Sequence, residues 1–389
     1  MLSSRERVIR AVHHEEPDRV PIFEPYGVFS PTADVVLGRR SIVGNPLARV
    51  RMAAQGRVKR LSDGIIRDEY ELTKKLKFDM ANIVLLPHSN ELRPGTKPKM
   101  IDEKTWRVGD SIYRLTSQTG YAVEMDSKIM KEGIPAFEEH IRELEEVGNE
   151  EIDDVIEDFQ YYERRLGRLF KNLDVLICIG SGHTVHQRGW LPLFLKCLYI
   201  RPDLIRRYLR QRTRYNIRKV NIAADFGAEL VYAHGDIADN HGPMVSQEHY
   251  REFFLPEIKK AVESYHKRGL FVFNSSDGNL WPIMEDYLIN SGVDGIMEIQ
   301  KTAGMDLERL KGQFGDRICF EGAVDCSFAL PFGSEEEVVR ETKETIGILS
   351  PGGGHILSST NSIHPGVKPS NYFTMLETAW KYGRYDRKH

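Results

Sequence analysis

The sequence predicts a (β/α)8 barrel, the α/β fold in which parallel strands form a ring surrounded by helices. Apolar runs at 20–24, 78–85, 174–179, 228–232, 270–273, 293–299, 317–320 and 355–357 supply about eight buried strands, the number that this fold requires. Long amphipathic segments separate most of these runs, as expected for helices that cover a parallel barrel. The runs end abruptly in polar residues, so any active site is expected at the carboxyl ends of the strands.

Length and composition favour one globular domain over residues 1–389. A barrel with insertions accounts for all 389 residues. A hydrophobic content of 41%, a charged content of 29% and a net charge of −3 give no reason to expect nucleic acid or a membrane as partner. No segment approaches the roughly 18 apolar residues of a membrane span, and residues 1–7 lack a secretion signal's apolar core. We therefore expect a cytoplasmic protein, and the sequence leaves a homodimer open.

The elements between the strands follow local signals. Ser3 and Glu6 have capping-box spacing, which predicts a first helix that closes the bottom of the barrel. Helices are expected within 136–173, 187–226 and 246–267, and Ser334 should cap the helix after strand seven. Between strands two and three, period-two alternation around Gly109 predicts a β-hairpin in an insertion of about 87–135. On a barrel loop such a hairpin could serve as a lid or a partner platform.

Two features have simple structural interpretations. Residues 201–219 carry eight Lys or Arg, yet apolar residues supply one side of the same helix, so a solvated outer face is expected. A docking face for an acidic partner is the alternative. The four cysteines form no CxxC pair, and Cys178 and Cys319 fall within apolar strands, which predicts reduced core thiols.

The polar residues that close the predicted strands are the candidate site residues. Glu298 and Glu321 end adjacent strands, so their side chains could converge near the barrel axis. Roles in turns, ion pairs and loop hydrogen bonds are the alternatives for each candidate. No tight spacing indicates a metal site, and none is predicted. We expect catalytic roles for Asp236, Asp239, Glu298 and Glu321, and substrate-binding roles for Glu24, Tyr26, His234, Asn274, Asp277, Asn361 and His364.

Four stretches, at 4–22, 235–246, 304–325 and 352–365, resemble the uroporphyrinogen decarboxylase superfamily, especially its decarboxylase-like and methyltransferase branches. The resemblance covers nearly the whole chain. It implies a TIM barrel but does not fix the reaction, because one scaffold carries unlike chemistries.

The loop after the first strand separates this chain from the true decarboxylases that it resembles. Those enzymes carry an arginine-rich loop, typically Arg-Gln-Ala-Gly-Arg, for the carboxylates of their tetrapyrrole. Here residues 23–30 read Phe-Glu-Pro-Tyr-Gly-Val-Phe-Ser, with an acid and aromatic residues instead. A substrate with many carboxylates would be repelled by the acidic mouth. The resemblance therefore points away from a true uroporphyrinogen decarboxylase.

The other branch resembles corrinoid-dependent methyltransferases. Members that methylate thiols hold zinc with a His-x-Cys pair after strand five and a Cys after strand eight. Here 274–277 reads Asn-Ser-Ser-Asp and 359–361 reads Ser-Thr-Asn, so that zinc site is absent and a thiol acceptor is not expected.

Without that zinc site, the chain resembles the methyl-donor-specific component of corrinoid-dependent methyltransferase systems. It would move a methyl group from a small substrate, such as a methoxylated aromatic (O-demethylation), to the cobalt of a corrinoid (cobalamin) carried by a partner protein. Crowded carboxylates raise one another's pKa, so an acidic mouth suits protonation of the departing oxygen. A decarboxylase of a smaller substrate and a catalytically silent ligand-binding barrel are the alternatives.

Overall fold

A parallel sheet of seven strands forms the centre of the molecule. The computed structural model describes residues 2–82, 97–116, 120–147, 165, 168–182 and 188–385. All neighbouring strands of the sheet pair in parallel, as the predicted α/β barrel requires, and the fold class is therefore confirmed. In spatial order the strands are Met80–Asn82, Leu176–Ser181, Leu230–His234, Phe271–Ser275, Gly295–Met297, Cys319–Val324 and His355–Ser359.

The predicted first strand, residues 20–24, joins the ring through single bridges instead of a regular ladder. Ile22 pairs in parallel with Leu357 on one side. On the other side the Asp79 N–H donates to the Ile22 carbonyl at 2.9 Å. Pro21 and Pro25 have no N–H to donate, so a continuous ladder cannot form here. The segment nevertheless fills the gap between the eighth and second strands.

Helices pack on the outside of the sheet. Both predicted capping boxes are present, at Ser3 with Glu6 and at Ser334 with Glu337. None of the helices in the described ranges combines the length and apolarity needed to cross a bilayer. The α-helices are Ser4–Val12, Thr32–Leu37, Pro46–Ala54, Val58–Leu76, Lys128–Glu132, Ile134–Glu146, Leu191–Ile200, Pro202–Asp225, Gln247–His249, Leu255–His266, Leu307–Phe314, Ala329–Phe332, Glu335–Leu349 and Pro369–Tyr382; π-helices span Tyr250–Phe254 and Glu285–Asn290, and 3-10 helices span Trp281–Ile283 and Lys301–Ala303.

An antiparallel sheet lies between the second and third barrel strands. Trp106 and Tyr113 stack with their ring centroids 6.3 Å apart, and with Val108 and Val50 they form a small separate hydrophobic cluster. Residues 87–96 and 117–119 of the predicted insertion lie outside the described residues. The four strands are Lys99–Met100, Thr105–Val108, Ser111–Leu115 and Ala122–Asp126.

The basic helix and the two cysteines within strands have the surroundings that the sequence predicts. The helix Pro202–Asp225 buries Leu204 and Leu209, while Arg207 pairs with Glu145 at 2.6 Å on its polar side. Cys178 and Cys319 are both fully buried free thiols. Neither feature needs a functional explanation.

The carboxylate of Asp79 ties the closing segment to the rest of the barrel. It is completely buried. Arg7 of the first helix donates to it at 2.6 Å, and Arg19 donates two hydrogen bonds at 2.7 and 2.9 Å. The Ile22 N–H donates a fourth, at 2.8 Å. A buried charge is tolerated only when it is paired and hydrogen-bonded in this way.

We predict that Asp79→Asn destabilises the protein by about 3–5 kcal/mol, since it leaves two arginines without their buried counter-charge. Urea denaturation measures the change in the free energy of unfolding. Asp203→Asn is the matched control, because Asp203 pairs with Arg201 at 2.8 Å at the surface. Its cost should stay below about 1 kcal/mol. Equal costs for the two variants would show that Asp79 does not hold the barrel closed.

Candidate active site

The carboxyl group of Glu298 lies where three barrel loops meet. The residue follows the sixth strand and is 3% exposed. Its Oε2 accepts hydrogen bonds from the Tyr26 hydroxyl at 2.9 Å and from Ser275 Oγ at 2.7 Å. Its Oε1 accepts one from Asn361 Nδ2 at 2.8 Å. The loops after the first and eighth strands and the end of the fifth strand thus converge on one carboxyl.

The backbone of Glu298 is strained. Its φ of +64° lies in the left-handed region, which residues other than glycine seldom adopt. Such a conformation costs on the order of 1–3 kcal/mol and persists only where the surroundings enforce it, often at functional sites. The turn at Glu298 ends the strand and aims the side chain at Tyr26 and Asn361.

The pKa of Glu298 is raised in this environment. Burial raises the pKa of this carboxyl well above its usual range, and the nearby carboxylates of Asp236 and Asp277 raise it further. The hydrogen bonds from Ser275 and Tyr26 act in the opposite direction but are weaker. The protonated form of this carboxyl is therefore favoured relative to that of an ordinary glutamate.

Tyr26 connects Glu298 with the surface. The residue is 37% exposed, yet its hydroxyl points inward and contacts both Glu298 and Ser275. Burial of that hydroxyl and the neighbouring acids hold the pKa of the phenol well above its usual value, so it stays a hydrogen-bond donor. The Glu298 carboxyl is therefore separated from solvent by the Tyr26 side chain.

Two further glutamates lie deeper in the barrel. Glu24 accepts a hydrogen bond from Ser359 Oγ at 2.6 Å, and Glu321 accepts one from the Tyr232 hydroxyl at 2.9 Å. Burial raises the pKa of each carboxyl to about 8. Glu321 is the third residue of its strand and not its end, and its hydrogen-bond partner is Tyr232. The convergence of Glu298 and Glu321 stays a prediction.

The two aspartates predicted after the fourth strand have different surroundings. Asp236 lies near enough to Glu298 to raise the pKa of that carboxyl. Asp239 is exposed, and its Oδ1 accepts hydrogen bonds from the N–H groups of His241 and Gly242 at 2.7 and 3.2 Å. Asp239 shapes a turn outside the Glu298 cluster. Asp277 follows the fifth strand, and its carboxylate also raises the pKa of Glu298.

Two other predicted residues, Asn274 and His364, form their hydrogen bonds outside the cluster. Asn274 is fully buried and donates to the Tyr287 carbonyl at 2.6 Å. His364 binds the Cys326 carbonyl at 2.8 Å through Nε2, and its Nδ1 accepts from the Gly366 N–H at 3.1 Å. Both hold backbone segments in place. His234 ends the fourth strand, and its side chain lies outside the described residues.

Ser275 and Ser359 belong to the site but were not predicted from the sequence. Ser275 directly follows Asn274, and adjacent strand residues point to opposite faces. Only the register of the strand decides which of the two reaches the barrel axis. One signal in the sequence could have identified Ser275. It lies two residues after Phe273 in the strand, and residues two apart point to the same face.

The described residues contain no cluster of three or more His, Cys, Asp or Glu suited to a metal ion. The stretches 274–277 and 359–361, compared with the zinc-holding stretches in the sequence analysis, contain Ser275, Ser276 and Ser359, whose hydroxyls bind Glu298, the Ile237 N–H and Glu24. These hydroxyls are used as hydrogen-bond donors and acceptors within the protein. Hydroxyls are also poor substitutes for thiolate and imidazole ligands.

We predict that Glu321→Gln weakens the pH dependence of stability. The folded state holds the Glu321 proton up to a pKa of about 8, whereas the unfolded chain releases it near roughly 4.3. Its contribution is therefore complete below pH ~4.3 and is lost as the pH rises toward 8, by up to about 1.4 kcal/mol per pH unit. Urea denaturation at pH 6 and pH 8 should show a smaller decrease for the variant. Glu263→Gln, an exposed control, should keep the wild-type decrease; an unchanged decrease in Glu321→Gln contradicts the assignment.

Comparison with known proteins agrees with this architecture. The family model described as uroporphyrinogen decarboxylase (URO-D) matches residues 112–382. A uroporphyrinogen decarboxylase of Aromatoleum aromaticum is 25% identical over 191 residues, which span 48% of this chain and half (50%) of that protein. One of Dechloromonas aromatica is 24% identical over 65% of this chain and 73% of its own length.

A solved structure extends the similarity over the whole chain. The methyltransferase from Methanosarcina mazei superposes with a TM-score of 0.66 over 98% of this chain and 99% of its own, at 18% identity. At that identity the match demonstrates a shared fold. Together with the family match, which covers more than half of the sequence, it confirms the resemblance read from the motifs. The chain belongs to the uroporphyrinogen decarboxylase family.

Proposed function

We propose that this protein is the methyl-donor-specific component of a corrinoid-dependent methyltransferase system. It would take a methyl group from a small methyl ether, such as a methoxylated aromatic, and transfer it to a corrinoid carried by a partner protein. The observation that carries the proposal is the buried carboxyl of Glu298, which Tyr26, Ser275 and Asn361 hold by hydrogen bonds and whose pKa is raised by burial.

Removal of a methyl group from an ether breaks a carbon–oxygen bond and leaves a strongly basic oxygen. The cobalt of the partner's corrinoid would supply the nucleophile that accepts the methyl group. Glu298 would donate its proton to the departing oxygen, so that the product leaves as a neutral hydroxyl compound, and Glu298 would then regain a proton from solvent. Asp236 and Asp277 support this role because their negative charges raise the pKa of Glu298 and so favour its protonated form before the reaction.

Hydrogen bonds hold the acid in one orientation. Tyr26 and Ser275 bind one oxygen of Glu298, and Asn361 binds the other. A hydroxyl can both donate and accept a hydrogen bond, so Tyr26 and Ser275 can remain bonded to Glu298 whether or not Glu298 carries its proton. The partly exposed ring of Tyr26 supports access from outside, as a partner protein that delivers a corrinoid would require.

One finding favours this activity over uroporphyrinogen decarboxylation. The loop after the first strand presents Glu24 and Tyr26 where the decarboxylases present arginines, and Glu24 is hydrogen-bonded to Ser359. The structural relative that spans 98% of this chain is named a methyltransferase, and at 18% identity it supports the shared fold and not the reaction.

Anaerobic absorption spectroscopy tests the proposal. A cobalt(I) corrinoid protein is mixed with this enzyme and a panel of methoxylated aromatics and other methyl donors. We expect the cobalt(I) band to decay only when the enzyme and one class of donor are both present. If the band persists across the panel with a corrinoid protein of proven competence, the methyltransferase assignment fails.

We predict that Glu298→Gln lowers the rate of methyl transfer by about 10²–10⁴-fold, since glutamine offers no transferable proton. Glu285→Gln, at an exposed position, serves as the control and should retain the wild-type rate. Thermal melts of both variants separate loss of the acid from loss of the fold. A folded Glu298→Gln enzyme with a normal rate excludes Glu298 as the proton donor.

We further predict an alkaline limb in the pH–rate profile, because activity ends when Glu298 loses its proton. Asp236→Asn removes a negative charge that raises the pKa of Glu298, so the limb should move to lower pH. Stopped-flow absorption at several pH values measures the shift. A limb that stays in place would show that Asp236 does not act on the catalytic acid.

Decarboxylation of a smaller substrate is the second candidate, and the names of the curated relatives favour it. A protonated Glu298 could deliver the proton that replaces the departing carbon dioxide. Release of carbon dioxide from a carboxylic acid, with no corrinoid protein present, would identify this reaction. A barrel without catalytic activity would give neither signal.

A further inference from the structure

The antiparallel sheet inserted after the second barrel strand has one covered face and one open face. Trp106, Val108 and Tyr113 alternate onto the covered face, where they pack with Val50 of the helix Pro46–Ala54. Neighbouring residues of each strand point the other way. The charged and apolar residues of this open face are Lys99, Arg107, Ile112, Arg114, Val123 and Asp126.

Three cations lie side by side on the open face, and all three are exposed. Lys99 is the direct cross-strand partner of Arg107. Arg114 is the diagonal neighbour of Arg107, because Arg107 pairs with Ile112 and Arg114 follows two residues later. Like charges in direct register repel one another and destabilise a sheet. The cluster therefore costs stability in the isolated protein.

The acids of the sheet do not balance these charges. Asp126, on the same face, pairs with Lys131 at 2.6 Å, and Glu124 is buried on the covered face. Asp102 lies in a turn outside the strands, from which its negative charge acts on Arg114. Within the described ranges, none of the three cations forms an ion pair. The open face is therefore positively charged, although the whole chain has a net charge of −3.

Protection of a sheet edge explains only one of these cations. Lys99 belongs to the edge strand Lys99–Met100, where a lysine discourages pairing with another chain. Arg107 and Arg114 belong to the two inner strands, which already have neighbours on both sides. Their charges in the middle of the face must serve another purpose.

Apolar side chains accompany the cations. Val123, directly opposite Arg114, is 42% exposed, and Met125 of the same strand is 52% exposed. Arginine and methionine are enriched where proteins bind one another. Sheets that bind RNA present aromatic rings instead, whereas here Trp106 and Tyr113 lie on the covered face. The composition of the open face thus favours a protein partner.

The inserted sheet is attached to the mouth of the barrel. Tyr121, which precedes the strand Ala122–Asp126, contacts Phe29 of the loop after the first barrel strand, with ring centroids 5.6 Å apart. The Tyr121 side chain is also hydrogen-bonded to Ser362. Ser362 follows Asn361, which binds Glu298. A protein seated on the sheet would therefore be beside the candidate active site.

We propose that the open face of the inserted sheet docks an acidic surface of the corrinoid protein. The inference deepens the proposed function and rests on it for the identity of the partner. Negative charges on the partner would relieve the repulsion among Lys99, Arg107 and Arg114. Complementary charge would also speed the encounter and orient the partner toward the mouth.

Surface plasmon resonance tests the docking without any methyl donor. The full-length enzyme is passed over the immobilised corrinoid protein of proven competence, at low and at high ionic strength. We expect the affinity to fall as salt increases, since salt screens the attraction between exposed charges. No binding at low ionic strength, or an affinity that is constant with salt, would overturn the proposal.

Charge reversal assigns the docking to the sheet. Arg107→Glu should weaken binding on the order of tenfold at low ionic strength, mainly through slower association. Arg210→Glu is the matched control, because it makes the same change in net charge at an exposed position of the basic helix Pro202–Asp225. Equal losses in the two variants would show that net charge, and not this face, controls binding.

Thermal melts show whether the variants remain folded. Arg107→Glu places a carboxylate opposite Lys99, so its melting temperature should equal or exceed that of the wild type. Arg114→Glu repeats the test from the next strand and should weaken binding in the same way. Normal binding by two folded variants would exclude the open face as the docking surface.

Steady-state kinetics separate this inference from the proposed function. Arg107→Glu should raise the KM for the corrinoid protein about tenfold and leave kcat unchanged, the pattern of lost binding without lost chemistry. Methyl transfer with a normal KM in this variant would retain the methyltransferase and reject the docking face. Binding that Arg107→Glu weakens, without any loss of the cobalt(I) band, would retain the docking face and reject the methyltransferase.

Discussion

The closure of the barrel depends on one buried carboxylate. Asp79 holds Arg7, Arg19 and the backbone of Ile22 in a single network, and Ile22 is the residue that bridges the first segment to the eighth strand. Prolines prevent this segment from pairing as a regular strand, so side-chain ionic contacts replace part of the missing ladder. The loop that begins at Phe23 directly follows Ile22, which this network holds in place. It carries Glu24 and Tyr26 into the mouth, and the candidate site therefore depends on the same closure.

Acids in this barrel have different roles because their partners differ. Asp79 faces two guanidinium groups and serves as a structural anion. Glu24, Glu298 and Glu321 are equally buried, but hydroxyls and an amide are their hydrogen-bond partners. Among the described residues, the hydrogen-bond partners of these three carboxyls include no cation, so burial favours the neutral form and raises the pKa. Buried acids of this barrel therefore differ in pKa according to their partners.

This distinction changes how the mouth of the barrel is interpreted. From composition, the ring of carboxylates should repel a substrate with many carboxylates. In the structure, burial raises the pKa of Glu24 and of Glu321 to about 8, so these two groups carry less negative charge at neutral pH than their residue type implies. The charge of the mouth therefore depends on burial and on hydrogen-bond partners, which composition does not reveal.

The sequence by itself determined the barrel and the resemblance to the family, because buried strands, capping boxes and motifs are local patterns. It also named Glu298, Tyr26 and Asn361 as candidates, since all three follow strand ends. The tertiary structure alone decided which polar side chains meet. Strand register turned Ser275 toward Glu298 and Asn274 toward Tyr287, and position within its strand directed Glu321 to Tyr232. The raised pKa values, too, are set by burial and neighbouring charges, which depend on contacts between residues far apart in the chain.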